Sequence, residues 1–128
     1  MTRRPRGDQG AASAELVLAT PALLFLVMLV VQFGLWYHAS HVASAAAQEA
    51  AAAARVEGGT EAAGEERGQL FVRQVAGRLV PDATTQVERR GDRATATVTG
   101  HVVSVVPFMR LPVRGVSEGP VEQFQPAP

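Results

Sequence analysis

The stretch that decides the fold runs from Gly10 to Tyr37 and reads GAASAELVLATPALLFLVMLVVQFGLWY. Residues 16–37 form an apolar run that, as an α-helix, would be about 33 Å long, enough to cross the hydrocarbon core of a bilayer. Pro21 lies about a turn and a half inside this run and should kink the helix. Trp36 and Tyr37 close the run with amphipathic rings that suit a membrane interface. The sequence therefore predicts one transmembrane helix, spanning about residues 16–37.

Glu15 stands at the start of this apolar run, where a carboxylate is energetically unfavourable. At the centre of a spanning helix an acidic side chain costs roughly 2.5–3.5 kcal/mol on insertion scales, and such residues are usually functional. The cost at Glu15 should be smaller because the residue lies near the edge of the run. Its position nevertheless marks Glu15 as a candidate functional residue.

The chain has 128 residues, with 12 basic and 12 acidic side chains and no cysteine. This composition excludes a disulfide framework and thiol chemistry, and it provides no general attraction for nucleic acid. Arg3, Arg4 and Arg6 precede the apolar run, whereas the next arginine is Arg55. Positive charge on the N-terminal side alone predicts a cytoplasmic N-terminus and an exported C-terminus. Residues 1–10 are accordingly predicted to be a short cytoplasmic basic leader without regular structure.

Beyond the membrane the helix should continue as an Ala-rich stalk. Alanine is the best helix former, and nothing interrupts the pattern before Gly58-Gly59. The sequence therefore predicts a continuous helix over about residues 11–56, and residues 11–57 as one transmembrane and stalk unit. The outer third presents mostly methyl groups, which favours close packing by another helix or a sheet. We expect residues 39–54 to permit the close approach of sister helices.

Residues 58–118 are predicted to form a small exported α+β head. Thr60 can cap a second helix, which Pro81 would end and which Gly64, Gly68 and Gly77 should weaken. Its apolar stripe is predicted to comprise Phe71, Val72, Val75, Ala76 and Leu79.

The period then changes to two, which predicts strands over residues 84–90 and 93–106 on either side of a hairpin at Gly91-Asp92. A third, edge strand is expected over residues 113–117, which gives a three-stranded antiparallel sheet. Residues 119–128 contain three prolines and are predicted to be a flexible tail.

No arrangement of residues indicates an enzyme, and no cofactor is expected. The glycines at 58, 59, 64 and 68 lack the context of a phosphate-binding loop, and no Ser/His/Asp set or carboxylate pair stands out. His38 and His41 lie one helical turn apart, but without a third ligand nearby they are better interpreted as interfacial side chains than as a metal site. His101 is expected to stand isolated on a strand face.

Two simpler interpretations of the apolar run remain open. The first is a cleavable secretory signal peptide, with Ala43-Ser44-Ala45 as a small-x-small cleavage site and a new N-terminus near residue 46. The apolar cores of signal peptides run to about 7–15 residues, which is shorter than this run. The second is a plain single-pass anchor.

The order of the elements resembles that of type IV pilin-like proteins: a basic leader, a glycine, a glutamate, an apolar helix, an Ala-rich helix and a small sheet. Over about residues 7–57 the chain more specifically resembles the TadE-like family. The resemblance is carried by GAASAELVLATP at residues 10–21, QFG at residues 32–34 and AAAQEA at residues 45–50. TadE-like proteins are minor pilins or pseudopilins of tight-adherence (Flp, type IVb) pilus systems.

The resemblance implies roles for three residues near the N-terminus. Gly10 would precede the bond cut by a membrane-embedded aspartic prepilin peptidase, which makes Ala11 the mature N-terminus. Glu15, then the fifth mature residue, would pair with the α-ammonium of a neighbouring subunit. Leu16 follows Glu15, whereas the major pilins have tyrosine at that place, and this favours a minor component.

The resemblance also implies partners and a function, namely pilus assembly with a structural role in adhesion or secretion. The expected partners are the lipid bilayer, other pilin or pseudopilin subunits, a prepilin peptidase and a membrane assembly platform with a separate ATPase. No nucleic acid is expected to bind. The rivals are a membrane-anchored envelope protein that never enters a filament, which would tolerate Glu15→Ala, and a secreted binding domain released by signal-peptide cleavage.

Overall fold

The computed structural model describes residues 6–122, and their side chains from residue 10 onward. The elements are α1 (Arg6–Arg55), α2 (Glu61–Ala76), β1 (Thr84–Arg90), β2 (Arg93–His101) and β3 (Pro112–Pro120). This is the α+β architecture that the sequence predicts, with one long N-terminal helix, one short helix and a three-stranded sheet. The first half of the predicted leader and the end of the predicted tail lie outside the described residues.

Helix α1 has 50 residues and is therefore about 75 Å long. It begins at Arg6, five residues before the predicted start, so that residues 6–10 of the predicted leader are helical. The helix is continuous through Pro21 and joins the apolar run to the Ala-rich stalk. It ends at Arg55 because the chain turns at Gly58, whose φ of +76° suits glycine, and the Gly59 amide donates to the Val56 carbonyl.

The three strands pair in the order β1-β2-β3 and are antiparallel throughout. The hairpin between β1 and β2 turns at Gly91-Asp92 as predicted, and Gly91 has a positive φ of 59°. Strand β1 has the predicted bounds. Alternate residues of β2 are buried, among them Ala94, Ala96 and Val98, so that one face of the central strand packs against the helices.

Strand β2 is shorter than predicted, and β3 is longer. The ladder ends at His101 because residues 102–111 form a loop whose amides bind carbonyls outside the sheet or a side chain of α1. Strand β3 extends to Pro120, and the next two amides are also bonded, from Val121 to the Asp92 carbonyl and from Glu122 to the Arg55 carbonyl. Residues 119–122 of the predicted flexible tail are therefore part of the fold.

The stalk and the head share one core, which lies between one face of α1 and the head. The alanines of this face are buried, and they pack in two clusters with side chains of α2 and the sheet: Ala39, Ala43, Ala46, Ala47, Ala50, Ala51 and Ala54. The expectation that residues 39–54 would permit the close approach of sister helices is wrong for this face, because the chain's own head occupies it.

The predicted stripe of α2 is confirmed except at Val75, since Val72 and Ala76 are buried and Phe71 and Leu79 pack partly buried against the core. The fully covered face of α2 also includes two glycines. It consists of Gly64, Gly68, Val72 and Ala76, whereas Val75 is 51% exposed. A Cβ added to Gly68 would lie 2.7 Å from Thr85 Cγ2 and 3.0 Å from the Cβ of an alanine of α1, so only glycine permits this approach. The helix is capped by Thr60, as predicted, but it ends at Ala76 rather than near Pro81.

Candidate functional site

The N-terminal part of α1 stands apart from the head. Residues 10–27 are all exposed. An 18-residue stretch of α1 has a mean hydropathy of 2.5, and only 6% of that stretch is buried. The free segment of α1, defined here as residues 10–31, is about 33 Å long. It is the one described helix that is long and apolar enough to cross a membrane, and it fits a single-pass membrane protein.

Gly10, Ala11 and Glu15 all lie on this free segment, and each is exposed. Glu15 precedes Gln32 by 17 residues and is therefore about 26 Å along the helix from the nearest part of the head. The carboxylate thus faces the surroundings of the helix rather than the protein's own core. The geometry brings Gly10, Ala11 and Glu15 within about 8 Å of one another along the helix axis, one turn and a half apart.

Gln32 fixes the level at which the head begins, because it is fully buried although it lies within the apolar run. Its Oε1 accepts hydrogen bonds from the amides of Val105 at 2.7 Å and Val106 at 3.1 Å. Its Nε2 donates to the Val103 carbonyl at 3.2 Å. One side chain therefore satisfies three backbone groups of the 102–111 loop and holds that loop against α1. The sequence shows Gln32 as a polar residue within the apolar run but does not indicate this role.

Trp36 and Tyr37 lie one turn beyond Gln32. The Trp36 indole donates its Nε1 hydrogen to the Pro112 carbonyl at 2.9 Å, so this ring joins α1 to the start of β3. Tyr37 is 64% exposed, and its ring lies at 68° to the His41 ring with a centroid distance of 4.5 Å. Both rings stand where the exposed apolar helix passes into the covered stalk, and their placement at a membrane interface stays a prediction.

His101 is not isolated, contrary to the expectation from the sequence. Its Nδ1 lies 2.7 Å from Asp82 Oδ2, and its amide donates to Asp82 Oδ1 at 2.8 Å. The hydrogen bond with the His101 side chain, and then that with its amide, hold the pKa of the Asp82 carboxyl below its usual value of 3.8. This contact joins the segment after α2 to the end of β2. Within residues 10–122 no group of three or more His, Asp or Glu side chains could hold a metal ion.

Residues 10–52 match the family model of TadE-like proteins. The match covers about a third of the chain and includes the free segment of α1 together with most of the stalk. It confirms the resemblance to the TadE-like family, which works in tight-adherence pilus systems and is in general non-enzymatic. No curated protein and no solved structure matches the chain.

Proposed function

We propose that this TadE-like chain is a minor pilin, or pseudopilin, that acts in the assembly of a tight-adherence (Flp, type IVb) pilus. The observation that carries the proposal is the exposed, apolar free segment of α1, which projects from a head that already fills the small-residue face of the stalk. Helix packing with other subunits therefore falls to residues 10–31. The role is structural and serves adhesion or secretion.

Cleavage between Gly10 and Ala11 by a prepilin peptidase would place a new α-ammonium close to Glu15. Both groups are costly to transfer into hydrocarbon without a partner of opposite charge. Pairing Glu15 of one subunit with the ammonium of the next offsets that cost and fixes the axial register between subunits. The exposed position of Glu15, away from the head, supports a partner on another chain.

The attachment of the head also bears on the membrane span. On the face of α1 that meets the head, Met28 and Leu29 are half-buried and Gln32 is fully buried, whereas Phe33 and Tyr37 stay exposed. We infer that the hydrocarbon core covers about residues 10–31 rather than residues 16–37, because a span up to residue 37 would immerse the hydrogen-bonded loop. In this placement Gly10 lies at the inner edge of the bilayer, with a cytoplasmic N-terminus and an exported head. An assembly platform with its ATPase would then move the subunit from lipid into a filament.

The two rival functions make different demands on the same structure. A secreted domain that begins near residue 46 would lose Gln32, Trp36, Ala39 and Ala43, which hold the loop or contribute to the core, and the fold therefore weighs against it. An envelope anchor that never enters a filament would keep the whole fold. It differs in needing neither cleavage after Gly10 nor the carboxylate of Glu15.

The proposal is tested with Glu15→Gln in the native host, using Glu57→Gln as the matched control, because Glu57 is an exposed acid just beyond the other end of α1. We expect Glu15→Gln to be inserted in the membrane at the wild-type level but to be absent from sheared surface filaments. Glu57→Gln should enter filaments normally. Immunoblots of membrane and filament fractions measure both, and normal entry of Glu15→Gln would overturn the pairing mechanism.

A further inference from the structure

The loop of residues 102–111 is held in one conformation at the point where the head meets the free segment of α1. In addition to the bonds from Gln32, the Val102 amide donates to the Leu111 carbonyl and the Val103 amide donates to the Leu79 carbonyl. The Ser104 hydroxyl donates to the Met109 carbonyl across the loop. These contacts leave little freedom to the backbone, so the side chains that the loop exposes point in fixed directions.

The exposed side chains of this loop are mainly apolar. Phe108 is fully exposed and has a φ of 67°, a left-handed conformation that is uncommon for a bulky residue. Val103 and Val105 are 42% and 38% exposed beside it. A phenylalanine presented in this way on a firmly bonded loop is unfavourable in water, and a partner that removes it from water would stabilise the arrangement.

Basic side chains lie at the same end of the head as this apolar tip. Arg110 belongs to the loop itself, and Arg114 lies in β3 just after it. Arg73 and Arg78 line a groove with His38, which places the end of α2 about 9 Å beyond Gln32 along α1. In the described head, the acid at this end is Asp82, whose Oδ2 lies 2.7 Å from His101 Nδ1 and 4.0 Å from an exposed Arg110 guanidinium nitrogen. The other described acids from residue 57 onward lie in the first half of α2 or toward the β1–β2 hairpin: Glu57, Glu61, Glu65, Glu66, Glu88, Asp92, Glu118 and Glu122.

We propose that this end of the head, the membrane-facing rim formed by residues 102–111 and 73–79, docks on the lipid bilayer. Phe108 would enter the boundary between headgroups and acyl chains, while Arg78 and Arg110 would contact the phosphates of anionic lipids. The bilayer is the occupant because Gln32 holds this rim directly beyond the free segment of α1, which is long and apolar enough to cross a membrane. The proposal requires α1 to lie in a bilayer but does not require entry into a pilus.

Docking of the rim would give the head a second attachment to the membrane besides α1. A single helix leaves a head free to tilt, whereas a second contact fixes which face of the sheet points away from the bilayer. Entry into a filament would then require Phe108 to leave the lipid. The rim would therefore stabilise the subunit that lies in the membrane relative to the subunit assembled in the filament. Its contribution depends on the anionic lipid content through the arginines.

The experiment uses the full chain in lipid vesicles, with a nitroxide spin label on Phe108→Cys. The natural sequence has no cysteine, so a single label is unambiguous. Arg90→Cys, at the hairpin end of the head, is the matched control because the Arg90 side chain is 87% exposed. Power-saturation EPR compares accessibility to oxygen, which concentrates in lipid, with accessibility to a water-soluble nickel chelate. A label on Val103→Cys in the same loop provides an independent reading.

We expect the labels at positions 108 and 103 to be more accessible to oxygen than to the chelate, and the label at position 90 to show the reverse. The label at 108 should lie deeper in vesicles that contain phosphatidylglycerol than in pure phosphatidylcholine. Arg78→Gln combined with Arg110→Gln should remove that difference. A label at 108 that behaves like the one at 90 would overturn the proposal. So would protection from both reagents that appears only at high protein-to-lipid ratio, since it would indicate a second copy of the chain.

Discussion

Replacing Gln32 by leucine removes the side chain that makes three hydrogen bonds from α1 to the 102–111 loop. The substitution keeps the helix, because leucine is a good helix former and is compatible with the apolar run. It removes the acceptor for the amides of Val105 and Val106 and the donor to the Val103 carbonyl. The loop should therefore open without unfolding α1.

The size of the effect follows from the burial of each backbone group. Val106 is 3% exposed, so its amide would lose its partner without access to water, at a cost of about 1–3 kcal/mol. Val103 and Val105 are more than a third exposed, and water can partly replace Gln32 there, which leaves about 0.5–1.5 kcal/mol for each bond. The total is about 2–6 kcal/mol, or roughly 30-fold or more in the opening equilibrium of the loop.

Amide hydrogen exchange of the full chain in detergent micelles measures this opening directly. We expect the amides of Val105 and Val106 to exchange at least about 30-fold faster in Gln32→Leu, while the β1–β2 hairpin keeps its protection. Gln48→Leu is the matched control, because Gln48 is an exposed glutamine on the same helix. Unchanged exchange at Val105 and Val106 in Gln32→Leu would refute the anchoring role of Gln32.

Two further substitutions test the packing and the electrostatics of the head. Gly115→Ala should lower the free energy of unfolding by about 1–3 kcal/mol or more, because the added Cβ would clash with the backbone of Ala43. The control Gly34→Ala should be neutral or stabilising, because its added Cβ meets nothing within 4 Å. Urea unfolding in detergent compares the two variants, and equal stability would contradict this packing. The lowered pKa of Asp82 means that its contact with His101 stabilises the fold above about pH 4 and is lost as the pH falls through the folded-state pKa. Because the Asp82 side chain is 43% exposed, this contact contributes at most about 1 kcal/mol. Between about pH 5 and about pH 3, the free energy of unfolding should therefore fall less in Asp82→Asn than in the wild type. An equal fall in both proteins would contradict the assignment.

The elements that were predicted well depend on neighbours in the sequence. The hairpin at Gly91-Asp92 is fixed by its own turn residues, and the cap at Thr60 is fixed by a bond to the amide of Ala63. The continuity of α1 follows from the helix propensity of alanine. Each of these features can be recognised within a few residues of the printed sequence.

The features that were missed depend on long-range contacts. Strand β2 stops at His101 because the amides of Val102 and Val103 bind the carbonyls of Leu111 and Leu79. The amides of Val105 and Val106 then bind Gln32, more than 70 positions earlier in the chain. The buried face of α2 also includes Gly64 and Gly68, because α1 and β1 approach α2 closely there, so the predicted stripe left out these glycines and wrongly included Val75. A lone glutamine late in an apolar run was the available signal for the anchor, but the sequence did not indicate its partner.

In the candidate site, too, some features are recognisable from neighbouring residues, whereas others depend on long-range contacts. Gly10, Ala11 and Glu15 are recognisable because they follow one another closely in a motif, and the structure adds that they lie on an exposed helix away from the head. Trp36 was assigned to the membrane interface from its ring chemistry, whereas its bond to the Pro112 carbonyl required the fold. The rim around Phe108 unites segments from two distant parts of the chain, and the sequence pattern alone did not suggest it.

The most direct test of the proposed function is the intact mass and N-terminal sequence of the protein in filaments sheared from its native host. The pilin-like account predicts a chain that begins at Ala11 and has lost residues 1–10. Protein that retains residues 1–10 and stays in the membrane would contradict it in favour of an envelope anchor. A chain beginning near residue 46 would contradict it in favour of a secreted domain.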